Sequence, residues 1–121
     1  MEHVILGRKG EAIATNFLKK LKYKIIEINY VNKIGEIDII CKDKKEIVFV
    51  EVKTRTSEKF GLPREAVTDY KQNKIRLAAT LYLQRTNQYD EKVRFDVIEI
   101  LGDKIEHFKG CFWYAYALKI F

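Results

Sequence analysis

Apolar residues recur at helical spacing from about His3 to Leu21. Leu6, Ile13, Ala14, Phe17, Leu18 and Leu21 share one side, with Arg8, Lys9, Asn16, Lys19 and Lys20 on the other. The pattern predicts an amphipathic helix. Gly7 and Gly10 fall on its apolar face, where missing side chains let the helix backbone approach a sheet closely, and Glu11 falls at that face's edge. The period then shortens to two. Lys24–Tyr30, Glu36–Cys41 and Ile47–Thr54 are segments rich in Ile, Val and Phe, separated by Asn32-Lys33-Ile34-Gly35 and Lys42-Asp43-Lys44-Lys45. They predict three antiparallel strands joined by tight turns. Ile47-Val48-Phe49-Val50 is apolar on both faces, as a strand covered on each side must be. A loop from about Thr56 to Pro63 leads to a second helical pattern, Asp69 to about Gln84, with Thr68 as its N-cap. Val93–Leu101 and Lys104–Phe108 read as two closing strands around Gly102-Asp103, and the aromatic tail from Cys111 to Phe121 fits a short helix or an edge segment equally. The order α-β-β-β-α-β-β predicts an α/β (α+β) sandwich with a mixed sheet, in which a crossover through the second helix sets its flanking strands parallel.

At 121 residues, 47% hydrophobic and 33% charged, the chain reads as one domain spanning residues 1–121. No apolar run approaches the ~20 residues of a membrane-spanning helix, and the N-terminus lacks the order of a signal peptide, so a cytoplasmic protein without membrane contact is expected. Cys41 and Cys111 are too few and too far apart for a disulfide framework or a zinc cage; Cys41 alternates with isoleucines, as a buried thiol would. His3 and His107 lie in no recognisable cluster. The formal net charge is +6, and between Lys53 and Arg76 seven basic residues face three acids. A concentrated positive segment suits a phosphate polyanion, although a solvated face has the same composition.

One constellation carries chemistry. Asp38 lies in the second predicted strand, and Glu51-Val52-Lys53 ends the third. Alternation puts Glu51 and Lys53 on one face above Phe49 and Ile47, and a hairpin brings Asp38 near Glu51 on that face. Two carboxylates in a partly desolvated place repel, so a cation must compensate them or one must hold a proton. Oxygen-only ligands select Mg²⁺ or Mn²⁺, and the Val52 carbonyl is a further candidate ligand. Lys53 is placed to orient or deprotonate a water, or to neutralise charge growing on a phosphorus centre. Ordinary cross-strand ion pairs have the same spacing. Convergence favours the site: Glu11 stands on the first helix, while Lys71 and Lys74 stand on the apolar side of the second, where Lys71 should project toward a cleft.

Gly7-Arg8-Lys9-Gly10-Glu11, Gly35-Glu36-Ile37-Asp38, Phe49-Val50-Glu51-Val52-Lys53-Thr54-Arg55, Phe60-Gly61, Lys71 and Arg94-Phe95-Asp96-Val97, in this order, resemble the motif series of the small bacterial YraN family. The resemblance runs from about Gly7 to Phe108. It implies a restriction-endonuclease-like fold of the PD-(D/E)XK nuclease superfamily, similar to archaeal Holliday-junction resolvases. Carried over by position, it implies Asp38 and Glu51 as metal ligands, Lys53 as the catalytic lysine and Glu11 as the helix-borne acid assisting the metal. Ile37 stands where the superfamily's motif has proline, which leaves the carboxylate intact. Arg55, Lys71 and Lys74 are the candidate nucleic-acid contacts, Glu36 an outer partner of Asp38, and Arg94 with Asp96 a structural ion pair.

The expected activity is a Mg²⁺- or Mn²⁺-dependent endonuclease acting on DNA, with branched or otherwise structured DNA as a candidate substrate. A nucleic-acid-binding module without turnover, or an interaction subunit docking through Phe112-Trp113-Tyr114 and Tyr116, would use the same fold. A homodimer is expected only by analogy with resolvases, which cut two strands.

Overall fold

The computed structural model describes residues 2–55, 67–88 and 90–112, with side chains for residues 9–111 among them. The loop carrying Phe60-Gly61 and Pro63, and the aromatic tail from Trp113 onward, lie outside the described residues. The elements are α1 (Glu2–Lys20), β1 (Lys24–Val31), β2 (Glu36–Asp43), β3 (Glu46–Arg55), α2 (Asp69–Arg85), β4 (Val93–Leu101) and β5 (Lys104–Phe112). The strands form one mixed five-stranded sheet in sequence order. β1, β2 and β3 pair antiparallel, β4 runs parallel to β3, and β5 returns antiparallel. This is the predicted α+β arrangement, with the parallel pair at the helical crossover. Among the described residues no helix is long and apolar enough to cross a membrane.

Each sheet face carries its own core and its own helix. Under α1, Ala14 and Leu18 pack on Ile39, Cys41, Val48, Val50, Ile98 and Ile100. Under α2, Ile75, Ala78, Ala79, Tyr82 and Leu83 pack on Ile40, Ile47, Phe49, Phe95 and Val97. Ile47-Val48-Phe49-Val50 serves both layers and is almost wholly buried, which explains its lack of polar positions. Thr68 caps α2 by accepting a hydrogen bond from the Lys71 amide at 3.2 Å.

Leu21 departs from its predicted buried place. The Lys22 and Tyr23 amides donate to the Lys19 and Leu18 carbonyls, 3.0 Å each, with Lys22 left-handed at φ 71°. The helix therefore closes before Leu21 completes its stripe, and Leu21 is left 47% exposed. Cys111 and Phe112 belong to the end of β5 rather than to a separate tail. A register irregularity between Phe95 and Val97 loops β5 outward, with Gly110 at φ 64°.

Gly10 is where α1 touches the sheet. A β-carbon there would collide with Thr54 Oγ1 while meeting Val52 and Ile100 at ordinary contact distance. Gly10→Ala is expected to cost about 1–3 kcal/mol in urea unfolding. Thr54→Ala should recover part of that loss, because it removes the obstructing oxygen. Additive losses in the double variant would count against the contact.

Candidate functional site

The site forms where β2 and β3 part. Their pairing runs from Asp43↔Glu46 to Ile39↔Val50 and stops there. Continuing the register sets Asp38 opposite Glu51, so the two acids meet at the first unpaired position. Asp38 replaces the lost ladder bond: its Oδ2 accepts the Val52 amide at 2.8 Å. In an extended strand a residue's N–H and C=O leave on the same edge, so the Val52 carbonyl also faces this gap.

Alternation breaks at Asp38. Ile37 packs under α2, yet Ile39, two residues on, packs under α1. Across the strand pair, Ile28↔Ile39 and Tyr30↔Ile37 flank Asn29 and set it opposite Asp38. Asn29 is left-handed at φ 54°. Within β1 only that residue leaves the extended region for the left-handed one. Asp38 stands where the two layers part, near enough to Glu11 on the α1 side and to Glu51 on the α2 side for its charge to raise both carboxyls. Simple period-two reading put Asp38 and Glu51 together but had no means of adding a residue from the other face.

Glu51 is 2% exposed, and its Oε2 has no hydrogen-bond partner. Burial, then the neighbouring Asp38, push its carboxyl well above the usual glutamate range, against the pull of Lys71 and Lys53. Glu11 is raised for the same reasons, burial first and then the Asp38 charge, while the Asn29 side chain favours its ionised form. Burial and the adjacent Lys71 hold Lys53 below the usual lysine range. The structure thus gathers Glu11, Asp38, Glu51, Lys53 and Lys71.

Two predicted contacts are not gathered. Arg55, expected to reach phosphate, turns to Glu99 across the parallel pair, with Nε 3.1 Å from Oε2 and its side chain 8% exposed. Lys74 lies over the Tyr70 ring, 5.7 Å from its centroid, on an exposed turn of α2. Arg94 and Asp96 do form an ion pair, through two 2.9 Å contacts, and they anchor a network at a different part of the sheet. Arg94 also reaches Asp43 and the Tyr23 hydroxyl, while Asp96 meets His107 Nε2 at 2.7 Å and accepts the Gly110 amide at 3.0 Å. His107 and Tyr23 gave no spacing signal, because β5 and the link between α1 and β1, far apart in sequence, supply them.

A hard divalent cation suits the donor set. The orphaned buried oxygen of Glu51 is open to a proton or a cation, the candidate ligand atoms are all oxygens, and no thiol or imidazole belongs to the cluster. Among the described residues no three acidic, histidine or cysteine side chains make a ready cage. Mg²⁺ commonly binds through one or two carboxylates and completes its shell with water, and Asp38, Glu51 and the Val52 carbonyl would supply an ordinary share.

The chain matches the model of the uncharacterised protein family UPF0102 over residues 10–100, a stretch containing every side chain of the cluster. A UPF0102 protein of Geobacter metallireducens is 48% identical over 115 residues, covering 92% of this chain and 94% of that protein. One from Caldanaerobacter subterraneus subsp. tengcongensis is 53% identical over 95 residues, 78% of each. Among solved structures, the crystal structure of SSO0001 is similar with a TM-score of 0.50 at 20% identity, over 98% of this chain and 57% of that one. That likeness is one of fold.

Proposed function

The chain belongs to the uncharacterised protein family UPF0102, the YraN family, and since that membership fixes no activity, we propose from the site itself that it is a divalent-metal-dependent nuclease hydrolysing DNA phosphodiesters. The observation that carries this reading is Glu51: a buried carboxylate with an unpartnered oxygen, beside a second carboxylate and between two lysines. Such an arrangement costs stability, and a fold retains it where the charge is used.

Asp38, Glu51 and the Val52 carbonyl would hold the cation, and Glu11 would add negative charge from the helix side. A bound Mg²⁺ or Mn²⁺ supplies Lewis acidity toward the phosphate. Lys53, whose amine loses its proton more readily than a free lysine's, takes the proton of the attacking water as the new P–O bond forms and the ester P–O bond breaks, and the departing sugar oxygen takes a proton from solvent. Lys71, near Lys53 and Glu51, meets the phosphate oxygens.

The test is incubation with single-stranded, duplex, flap and four-way-junction DNA under Mg²⁺, Mn²⁺ or EDTA. Wild type should cleave at least one of these only with metal, and Asp38→Asn and Lys53→Ala should each lose about 100-fold or more of the rate. DNA binding by all three proteins with no cleavage would instead establish a binding module without turnover.

A further inference from the structure

Tyr70 belongs to neither core. It is 73% exposed, the most exposed of the large apolar side chains among the described residues and the one aromatic ring in that group. Tyr30 and Tyr82, by contrast, pack edge to face at 5.2 Å. A tyrosine left in water adds little burial to the fold, while its flat face suits another flat ring. The Lys74 ammonium, one turn further along α2, stands over the Tyr70 ring, 5.7 Å from its centroid. A cation takes one face of a ring and leaves the opposite face open.

Topology sets this ring at the rim of the acid cluster. α2 carries the chain from the end of β3 at Arg55 back to the start of β4 at Val93, and the two strands are parallel. Its first turn therefore lies toward the strand ends that bear Glu51 and Lys53. A β-carbon on Gly35 would stand 3.9 Å from the Lys74 carbonyl oxygen, which seats this part of α2 on the start of β2, just ahead of Asp38. Lys71 follows Tyr70 directly and lies near Lys53 and Glu51. Asp69, in the same turn, complements the helix N-terminus.

We propose that Tyr70 is a stacking platform for an unpaired base of the DNA strand that Lys71 leads to the acid cluster. A phosphate backbone drawn to Lys71 and Lys74 brings a base within reach of the open ring face. Inside a duplex each base is covered on both faces by its neighbours, so only an unpaired base can accept the ring. The site therefore selects single strands, flaps or junctions over continuous duplex, a choice that metal chemistry at Asp38 and Glu51 leaves open.

This inference rests on the nuclease reading above, and binding measured in EDTA, where no cleavage occurs, separates the two. Fluorescence anisotropy at one fixed salt concentration compares a labelled single strand with the same sequence in duplex. Tyr70→Ala should keep the thermal midpoint of wild type, lose about 5- to 100-fold in affinity for the single strand and change by less than about twofold on duplex. Tyr70→Phe keeps the ring and should bind as wild type does. A fluorescent adenine analogue moved along the single strand should be quenched at one position by wild type and Tyr70→Phe, and at none by Tyr70→Ala. Unchanged single-strand affinity in Tyr70→Ala, equal losses on both substrates, or a Tyr70→Phe that fails as Tyr70→Ala does would each overturn the platform, while the cleavage assay still decides the nuclease. Stacking in a protein that cleaves no substrate leaves the platform standing and overturns the nuclease. A wild type that binds no DNA overturns both.

Discussion

Glu51→Gln is expected to make the metal-free protein more stable while removing its metal response and about 100-fold or more of its cleavage rate. Glutamine has the size of glutamate and no charge to desolvate. Glu51 is 2% exposed with one unpartnered oxygen, so the folded protein must either keep a proton on it or bury a charge beside Asp38. Replacing such a charge by a neutral group of similar volume gains about 1–3 kcal/mol. The sign follows from linkage. Because the folded-state pKa of Glu51 lies above its unfolded value of 4.5, the native state holds the proton more tightly. Stability is therefore lost as pH rises from the ordinary glutamate range through the raised folded pKa, and Glu51→Gln should lack that part of the slope. Mn²⁺ at a hundredfold excess over its Kd should stabilise wild type by about 2.7 kcal/mol and the variant by little. Denaturant unfolding across pH, with and without Mn²⁺, reads both effects. A variant less stable than wild type without metal would show that Glu51 is a structural acid.

Asp96→Ala is expected to have the largest effect on the fold itself, a loss of about 3–5 kcal/mol in urea unfolding at pH 7. Asp96 is fully buried, and its two oxygens receive Arg94, His107 and the Gly110 amide. Burial opposes its charge, yet the hydrogen bonds from His107, Arg94 and Gly110 outweigh burial and hold its carboxyl below the usual aspartate range. Its contribution is thus complete above the unfolded value of 3.8 and disappears as pH falls through the lowered folded value, so wild type should lose stability steeply with acid across that interval while Asp96→Ala should lack that part of the slope. Removing the carboxylate leaves Arg94 with Asp43 and Glu46 at longer or more exposed contacts, and strips the β5 irregularity of the bond that closes it at Gly110. A loss under about 1 kcal/mol would mean that the network is replaceable by solvent. Because the network is separate from the acid cluster, whatever Asp96→Ala protein remains folded should still bind Mn²⁺ as wild type does.

The local order of residues determined the elements, and in α2 even the capping residue, because helix and strand periods and N-cap chemistry act over a few positions. It determined too that Glu51 and Lys53 share a face and that Asp38 lies across from Glu51, since a tight hairpin fixes register over a short loop. Tertiary structure decided the rest. Leu21 lost its place in the core when Lys22 closed the helix, and Arg55 turned from solvent to Glu99 once β4 lay parallel beside it. Arg94 became the centre of a network only when Tyr23, 71 residues away in sequence, came within 2.9 Å. The third acid, Glu11, came beside Asp38 because the alternation of β2 breaks there, between the layer under each helix. Periodicity states which way a side chain faces within its own element; which group it meets there depends on packing between elements, and that free energy is shared across the whole core rather than written at either residue.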